Sequence, residues 1–112
     1  MNENPPARLQ DLESQFDVSL AKELVSAYLD DTQEVIEKMQ EAIFNRDSKA
    51  LKSVAHMLKG ASRIIIAEEL EQRSREIEEL SASNNWLKLE ASFEQLSKTF
   101  ERTIEYLRQY LQ

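Results

Sequence analysis

The longest regular stretch of the chain is residues 86–111, WLKLEASFEQLSKTFERTIEYLRQYL. Its apolar residues recur every three or four positions, the spacing that places them on one face of an α-helix. They are Trp86, Leu89, Phe93, Leu96, Phe100, Ile104, Leu107 and Leu111. The stretch therefore predicts one amphipathic helix of roughly seven turns. Because the aromatic residues keep this periodicity, we assign them to a core rather than to a ligand pocket.

Two shorter helices are predicted in the first half of the chain. The first begins near Ser19, and its apolar face contains Leu20, Leu24, Val25, Tyr28 and Leu29. Asp31 followed by Glu34 resembles a capping box, so we expect the second helix to start there. The short polar turn at residues 45–47 should end it.

A third segment starts at Asp47 or Ser48, because either side chain can cap a helix. Residues 61–67 contain no turn-forming residue and continue the apolar pattern. We therefore expect this helix to run on, as far as about Leu80, until residues 81–85 break the pattern, with Ser83 or Asn84 as the next cap.

Composition supports an all-α protein. The chain has 112 residues, with one glycine, and its two prolines are adjacent at Pro5 and Pro6. Short connections between long helices favour antiparallel neighbours. We predict an up-and-down antiparallel four-helix bundle over residues 9–112 and a flexible tail or linker over residues 1–8. A short extra helix can form over Leu9 to Phe16.

Composition also excludes several classes of function. The formal net charge of −7 repels nucleic acid, and without cysteine there is no disulfide or thiolate metal site. No apolar run is long enough to span a membrane, and residues 1–8 do not resemble a secretory signal. We expect a cytoplasmic monomer with no metal site of its own.

The single histidine, His56, is the first candidate for chemistry. On a helical wheel it lies almost opposite the predicted core face, so its imidazole should be exposed. That core face consists of Leu51, Val54, Leu58, Ala61 and Ile65. Adjacent carboxylates such as Glu78 and Glu79 are expected only on solvated helix faces.

The single glycine, Gly60, is one turn from His56 on the same side of the helix. A glycine inside a helix costs about 1 kcal/mol relative to alanine. Gly60 could instead end the helix, but the apolar pattern continues past it. A missing side chain would allow another protein's backbone to approach His56.

Further residues extend the predicted site along the helix. Lys59 brings a positive charge one turn from the imidazole, and it can neutralise phosphoryl oxygens. An exposed apolar patch is expected beside them, which is typical of a docking surface. The predicted partner-binding residues are Met57, Arg63, Ile66, Ala67 and Leu70.

Residues 55–62, AHMLKGAS, resemble the signature of histidine-containing phosphotransfer (HPt) domains, in which lysine and glycine follow the histidine at +3 and +4. The resemblance covers roughly residues 16–111. The chain is similar to the C-terminal HPt domains of hybrid sensor histidine kinases and to free-standing HPt proteins.

This resemblance implies a phosphorelay function. His56 would accept a phosphoryl group from a receiver-domain aspartate and pass it to another receiver aspartate, with Lys59 stabilising charge and Gly60 giving access. The partners would be response-regulator receiver domains and a hybrid sensor histidine kinase. The receiver would supply Mg²⁺, and the chain would have neither kinase activity nor a cofactor. The alternative is an HPt-like helical scaffold that is never phosphorylated.

The chain departs from the family pattern at two positions. Family members often carry a small residue at +7 and a glycine at +10, where this chain has Arg63 and Ile66. Arginine at +7 also occurs in some members that resemble the domains of hybrid kinases. We expect Ile66 to narrow the range of receivers that can dock.

Overall fold

The computed structural model describes residues 4–112, and over that range it contains helices and no strands, which confirms the all-α prediction. There are six helices in this part of the chain. They are α1 (Leu9–Gln15), α2 (Val18–Asp31), α3 (Val35–Phe44), α4 (Ser48–Ile64), α5 (Glu68–Leu80) and α6 (Trp86–Leu111).

Helices α3 to α6 enclose most of the core. α3 packs on α4, α4 on α5, α5 on α6, and α6 on α3. Their short connections, at residues 45–47, 65–67 and 81–85, favour antiparallel packing of helices that are adjacent in sequence. The large side chains buried between them include Met39, Leu51, Leu58, Ile65, Leu70, Ile77, Leu89 and Leu96.

The C-terminal half of α6 carries the remaining two helices. At 26 residues α6 is roughly 39 Å long, which is longer than α4 or α5. The Lys22 ammonium of α2 lies 5.8 Å from the centre of the Tyr110 ring. The Tyr110 hydroxyl in turn donates to the Glu13 carboxylate of α1 at 2.6 Å. A buried hydrogen bond of 3.0 Å between the Tyr28 and Ser62 hydroxyls ties α2 to α4.

Side-chain caps explain where several helices begin. Asp17 accepts from the Leu20 N–H, Asp47 from the Ala50 N–H, and Asn85 from the Lys88 N–H. The capping box predicted at Asp31 and Glu34 is wrong. Asp31 ends α2, and Glu34 precedes α3 without making a side-chain cap bond.

The third predicted helix is two helices, α4 and α5, and the prediction of one helix as far as Leu80 is wrong. α4 ends at Ile64, where the Ile66 N–H donates to the Arg63 carbonyl and the Ala67 N–H donates to the Ser62 carbonyl. These two bonds form a Schellman motif. Its left-handed residue is usually glycine, but here it is Ile66, with φ of 57°. Because isoleucine gives no turn signal in a sequence, the pattern did not reveal the break.

Within residues 4–112, every residue with a left-handed backbone is a residue other than glycine. Besides Ile66, the positive φ angles are those of Arg46 at 53° and Asn84 at 60°. Gly60, by contrast, lies in the interior of α4 with no positive φ. The chain therefore uses its glycine where the backbone does not require one.

Part of the predicted tail is held against the bundle. Ala7 is fully buried, and the Arg8 N–H donates to the Ile66 carbonyl at 3.1 Å. The Arg8 guanidinium also donates to Glu68 at 2.9 Å. Residues 1–3 lie outside the described residues. None of the helices in residues 4–112 is long and apolar enough to cross a membrane.

Candidate functional site

His56 lies in the middle of α4 on the face away from the core, as the helical wheel predicts. Its side chain is 69% exposed. Neighbouring positions on the opposite face, Leu51, Ala55 and Leu58, are fully buried. The imidazole is thus presented to solvent by a helix that is anchored on its other side.

A carboxylate from α5 fixes the orientation of the imidazole. The Nδ1 atom of His56 lies 2.7 Å from the Glu78 Oε2 atom. An ionised carboxylate can only accept hydrogen bonds, so Nδ1 carries the proton. In the neutral ring the lone pair is then on Nε2, which is the ring nitrogen that could act as a nucleophile.

The same carboxylate holds Lys59. The Lys59 ammonium lies 2.7 Å from Glu78 Oε1, and the two side chains are 19% and 15% exposed. The hydrogen bond from Lys59, followed by that from His56, holds the pKa of Glu78 below its ordinary value. Glu78 is therefore ionised near neutral pH and bridges the two predicted site residues.

Gly60 leaves open space beside His56. A Cβ atom built at this position would have no neighbouring atom within 4 Å. No packing within residues 4–112 requires the glycine, because outside its own helix backbone no described atom occupies the space that a Cβ atom would fill. What the glycine does provide is an uncovered strip of backbone one turn from the imidazole.

The predicted docking residues separate into two groups. Met57, which is 40% exposed, and Arg63 lie on the surface of α4. Ala67 and Leu70 are fully buried in the core, so their assignment to a partner-binding surface is wrong. The assignment assumed a continuous helix, and the turn at Ile66 rotates every later residue to a different direction. Ile66 itself is half-buried and packs against the core.

Sequence reasoning missed Glu78, the residue that joins the site together. Twenty-two residues of continuous helix would separate it from His56 by roughly 33 Å. The α4–α5 turn brings the two side chains into contact instead. Charge complementarity gave a usable signal, because α4 contains four basic and no acidic residues whereas α5 contains six glutamates.

Metal coordination by this chain has no support in the described residues. Within residues 4–112 no three histidine or acidic side chains are grouped so that they could hold an ion. At the site itself, the Glu78 oxygens already accept from His56 and Lys59.

Comparisons with known proteins support the fold and identify the family. The chain resembles the crystal structure of histidine-containing phosphotransfer protein B from Pseudomonas aeruginosa PAO1, with a TM-score of 0.84 and 23% sequence identity. That alignment covers 96% of this chain and 95% of the other. No curated protein sequence gives a significant match.

A family model gives the decisive match. The Hpt domain model matches residues 23–110, which include His56, Lys59, Gly60 and Glu78. The match confirms the family that the sequence motif indicated. The chain therefore belongs to the Hpt domain family, the histidine-containing phosphotransfer domains of phosphorelays.

Proposed function

We propose that Nε2 of His56 accepts a phosphoryl group from the aspartyl phosphate of one receiver domain and passes it to the aspartate of another. In the first step the P–Nε2 bond forms as the bond between phosphorus and the aspartate oxygen breaks, and the donor carboxylate leaves. The second step reverses this at a new carboxylate. The observation that supports the proposal best is the contact of 2.7 Å between Nδ1 and Glu78, because in the neutral ring it places the lone pair on Nε2, and the ring is exposed.

Glu78 also offsets the charge that develops on the ring. As Nε2 forms its bond to phosphorus, positive charge appears on the imidazole, and the proton on Nδ1 is held by the carboxylate. Lys59 then provides a cation for the phosphoryl oxygens. Its ammonium is tethered one helical turn from His56, so a side-chain rotation rather than a backbone movement would direct it to the phosphoryl group.

The remaining requirements fall to the partner. Carboxylates of the receiver would hold Mg²⁺ and stabilise the transferring phosphoryl group. The chain would act as a carrier without kinase activity, between receiver domains and a hybrid sensor histidine kinase. The predicted cytoplasmic location and monomeric state stay predictions.

The first experiment incubates the protein with a receiver domain that acetyl phosphate has phosphorylated, in the presence of Mg²⁺. Intact mass should show one added phosphoryl group, labile in acid and stable in base. His56→Gln should abolish the adduct without changing the melting temperature, because the side chain is exposed and its removal costs little stability. An adduct that persists in His56→Gln would refute the assignment.

Variants of Glu78 test the orientation of the ring. Glu78→Gln retains an oxygen that can accept from Nδ1, whereas Glu78→Ala does not. We expect Glu78→Ala to reduce transfer more than Glu78→Gln does, and nitrogen chemical shifts of the neutral imidazole should report a larger fraction of the Nδ1–H tautomer when an acceptor is present. Binding of receivers without any transfer would instead favour the unphosphorylated scaffold.

A further inference from the structure

The helix that carries His56 differs in charge from the rest of the molecule. α4 contains Lys49, Lys52, Lys59 and Arg63 and no acidic residue, so its formal charge is +4. The remainder of the chain has 10 basic and 21 acidic residues, a formal charge of −11. A partner that approaches His56 therefore meets a positive stripe on an otherwise negative surface.

Two of these cations are uncompensated. Lys59 pairs with Glu78 and Arg63 with Glu71, both across the α4–α5 groove. Lys49 and Lys52 are exposed, and neither makes an ion pair with any residue in 4–112. The free positive charge of the stripe is thus concentrated on the N-terminal side of His56.

These two lysines share a recess with the imidazole. They lie seven and four residues before His56, on the same side of α4. A shallow depression of about 380 Å³ is lined by Lys49, Lys52, Ser53, His56 and Glu78. An approaching group that contacts Nε2 can therefore contact both ammonium groups as well.

Within residues 4–112 neither lysine has an ion-pair partner that would explain it by stability. Lys49 is the second residue of α4, and the N-terminus of a helix carries partial positive charge that disfavours cations. The acidic group at this end, Asp47, accepts from the Ala50 N–H as the helix cap. The two lysines are therefore better explained by binding than by stability.

We propose that Lys49 and Lys52 dock the acidic rim around the phosphorylated aspartate of a partner protein, and that they select partners whose rim is acidic. This inference rests on the proposed function. The chemistry fits, because a protein that binds Mg²⁺ beside an aspartyl phosphate holds the ion with one or two carboxylates, and further acidic residues on the surrounding rim would extend that negative charge. Opposite charges across the approaching surfaces raise the association rate and fix orientation.

The test compares Lys49→Glu/Lys52→Glu with a matched control, Lys88→Glu/Lys98→Glu. Both double variants change the net charge equally, and Lys88 and Lys98 are exposed residues of α6 rather than of α4. Stopped-flow phosphotransfer is measured from a phosphorylated receiver with an acidic rim and from one with a basic rim. The ionic strength is varied from about 0.01 to about 1 M, over which the Debye length falls from about 30 to about 3 Å.

We expect the α4 variant to lose about tenfold in second-order rate constant at low ionic strength with the acidic receiver. The loss should vanish at high ionic strength, and the rate at saturating receiver should not change. The α6 control should lose much less. With the basic receiver the α4 variant should be as fast as the wild type or faster.

Three outcomes would overturn the inference. One is equal behaviour of the two double variants, and another is a loss that survives high ionic strength. The third is an equal loss with the small phosphodonor phosphoramidate, which would make the lysines an anion subsite rather than a protein-docking surface. Failure of the proposed function is a different result, namely a wild-type protein that accepts no phosphoryl group from either receiver.

Discussion

Replacing Gly60 with alanine should make the protein more stable. Alanine exceeds glycine in helix propensity by about 1 kcal/mol in a helix interior. The added methyl group would meet no atom within 4 Å, and φ at this position is not positive, so neither a clash nor backbone strain offsets the gain. We therefore expect the free energy of unfolding to rise by about 1 kcal/mol.

The corresponding change in melting temperature follows from the size of the chain. For 112 residues the unfolding entropy is about 0.24 kcal/mol/K, so 1 kcal/mol corresponds to about 4 °C. Urea denaturation and calorimetry would both detect this. Ala91→Gly is a matched control, because Ala91 is exposed within α6 and should lose a similar amount. A Gly60→Ala protein no more stable than the wild type would refute the reasoning about open space.

Larger side chains at the same position should separate stability from transfer. Gly60→Glu should still fold, since the space beside residue 60 is open, but it should slow phosphotransfer by obstructing the receiver backbone. Ala91→Glu adds the same group far from His56 and should leave transfer unchanged. Undiminished transfer by Gly60→Glu would exclude access as the purpose of the glycine.

Three further predictions concern stability. Ile66→Gly should exceed Ile66→Ala in free energy of unfolding by about 1 kcal/mol, because both lose the side chain and only glycine adopts the positive φ without steric cost; equal urea midpoints would contradict this. Tyr28→Phe should cost about 1–2 kcal/mol, as it strands the buried Ser62 hydroxyl, and calorimetry would measure the loss. Burial by itself raises the pKa of Glu69, but hydrogen bonds led by that from Thr99 outweigh burial and lower the pKa. The ionised carboxylate therefore contributes its full stabilisation above pH 4.5, the ordinary pKa of the group. That stabilisation is lost as the pH falls through the lowered pKa of the folded state. Glu69→Gln should therefore flatten the acid limb of stability against pH, and an unchanged slope in denaturation series would count against the network.

Periodicity predicted the elements that have clear ends and one apolar face. α6 matches the predicted range of residues 86–111, and α2 and α4 begin within a residue of the predicted positions. It failed at the α4–α5 turn because the deciding residue, Ile66, adopts a conformation that isoleucine rarely takes. Only the hydrogen bonds of the Schellman motif and the packing of the side chain reveal why it does so there.

The sequence predicted the part of the site that lies on a single helix. Exposure of His56 and the nearness of Lys59 and Gly60 follow from helix geometry alone, and their functional roles stay predictions. Glu78 depends on the register between two helices, which no local pattern specifies. The unrecognised turn at Ile66 explains why Ala67 and Leu70 were predicted to be exposed when both are buried.

The distribution of glycine over the fold has a consequence for engineering this domain. Within residues 4–112, three connections between helices contain a left-handed residue that is not glycine, and the only glycine of the chain lies in a helix that alanine would suit better. A designer who optimised thermal stability alone would begin with these positions, and at Gly60 the exchange would cover the backbone one turn from the imidazole of His56. Selecting a library of variants for heat resistance should therefore enrich proteins that fold well and relay poorly, a trade-off between stability and activity located at one residue.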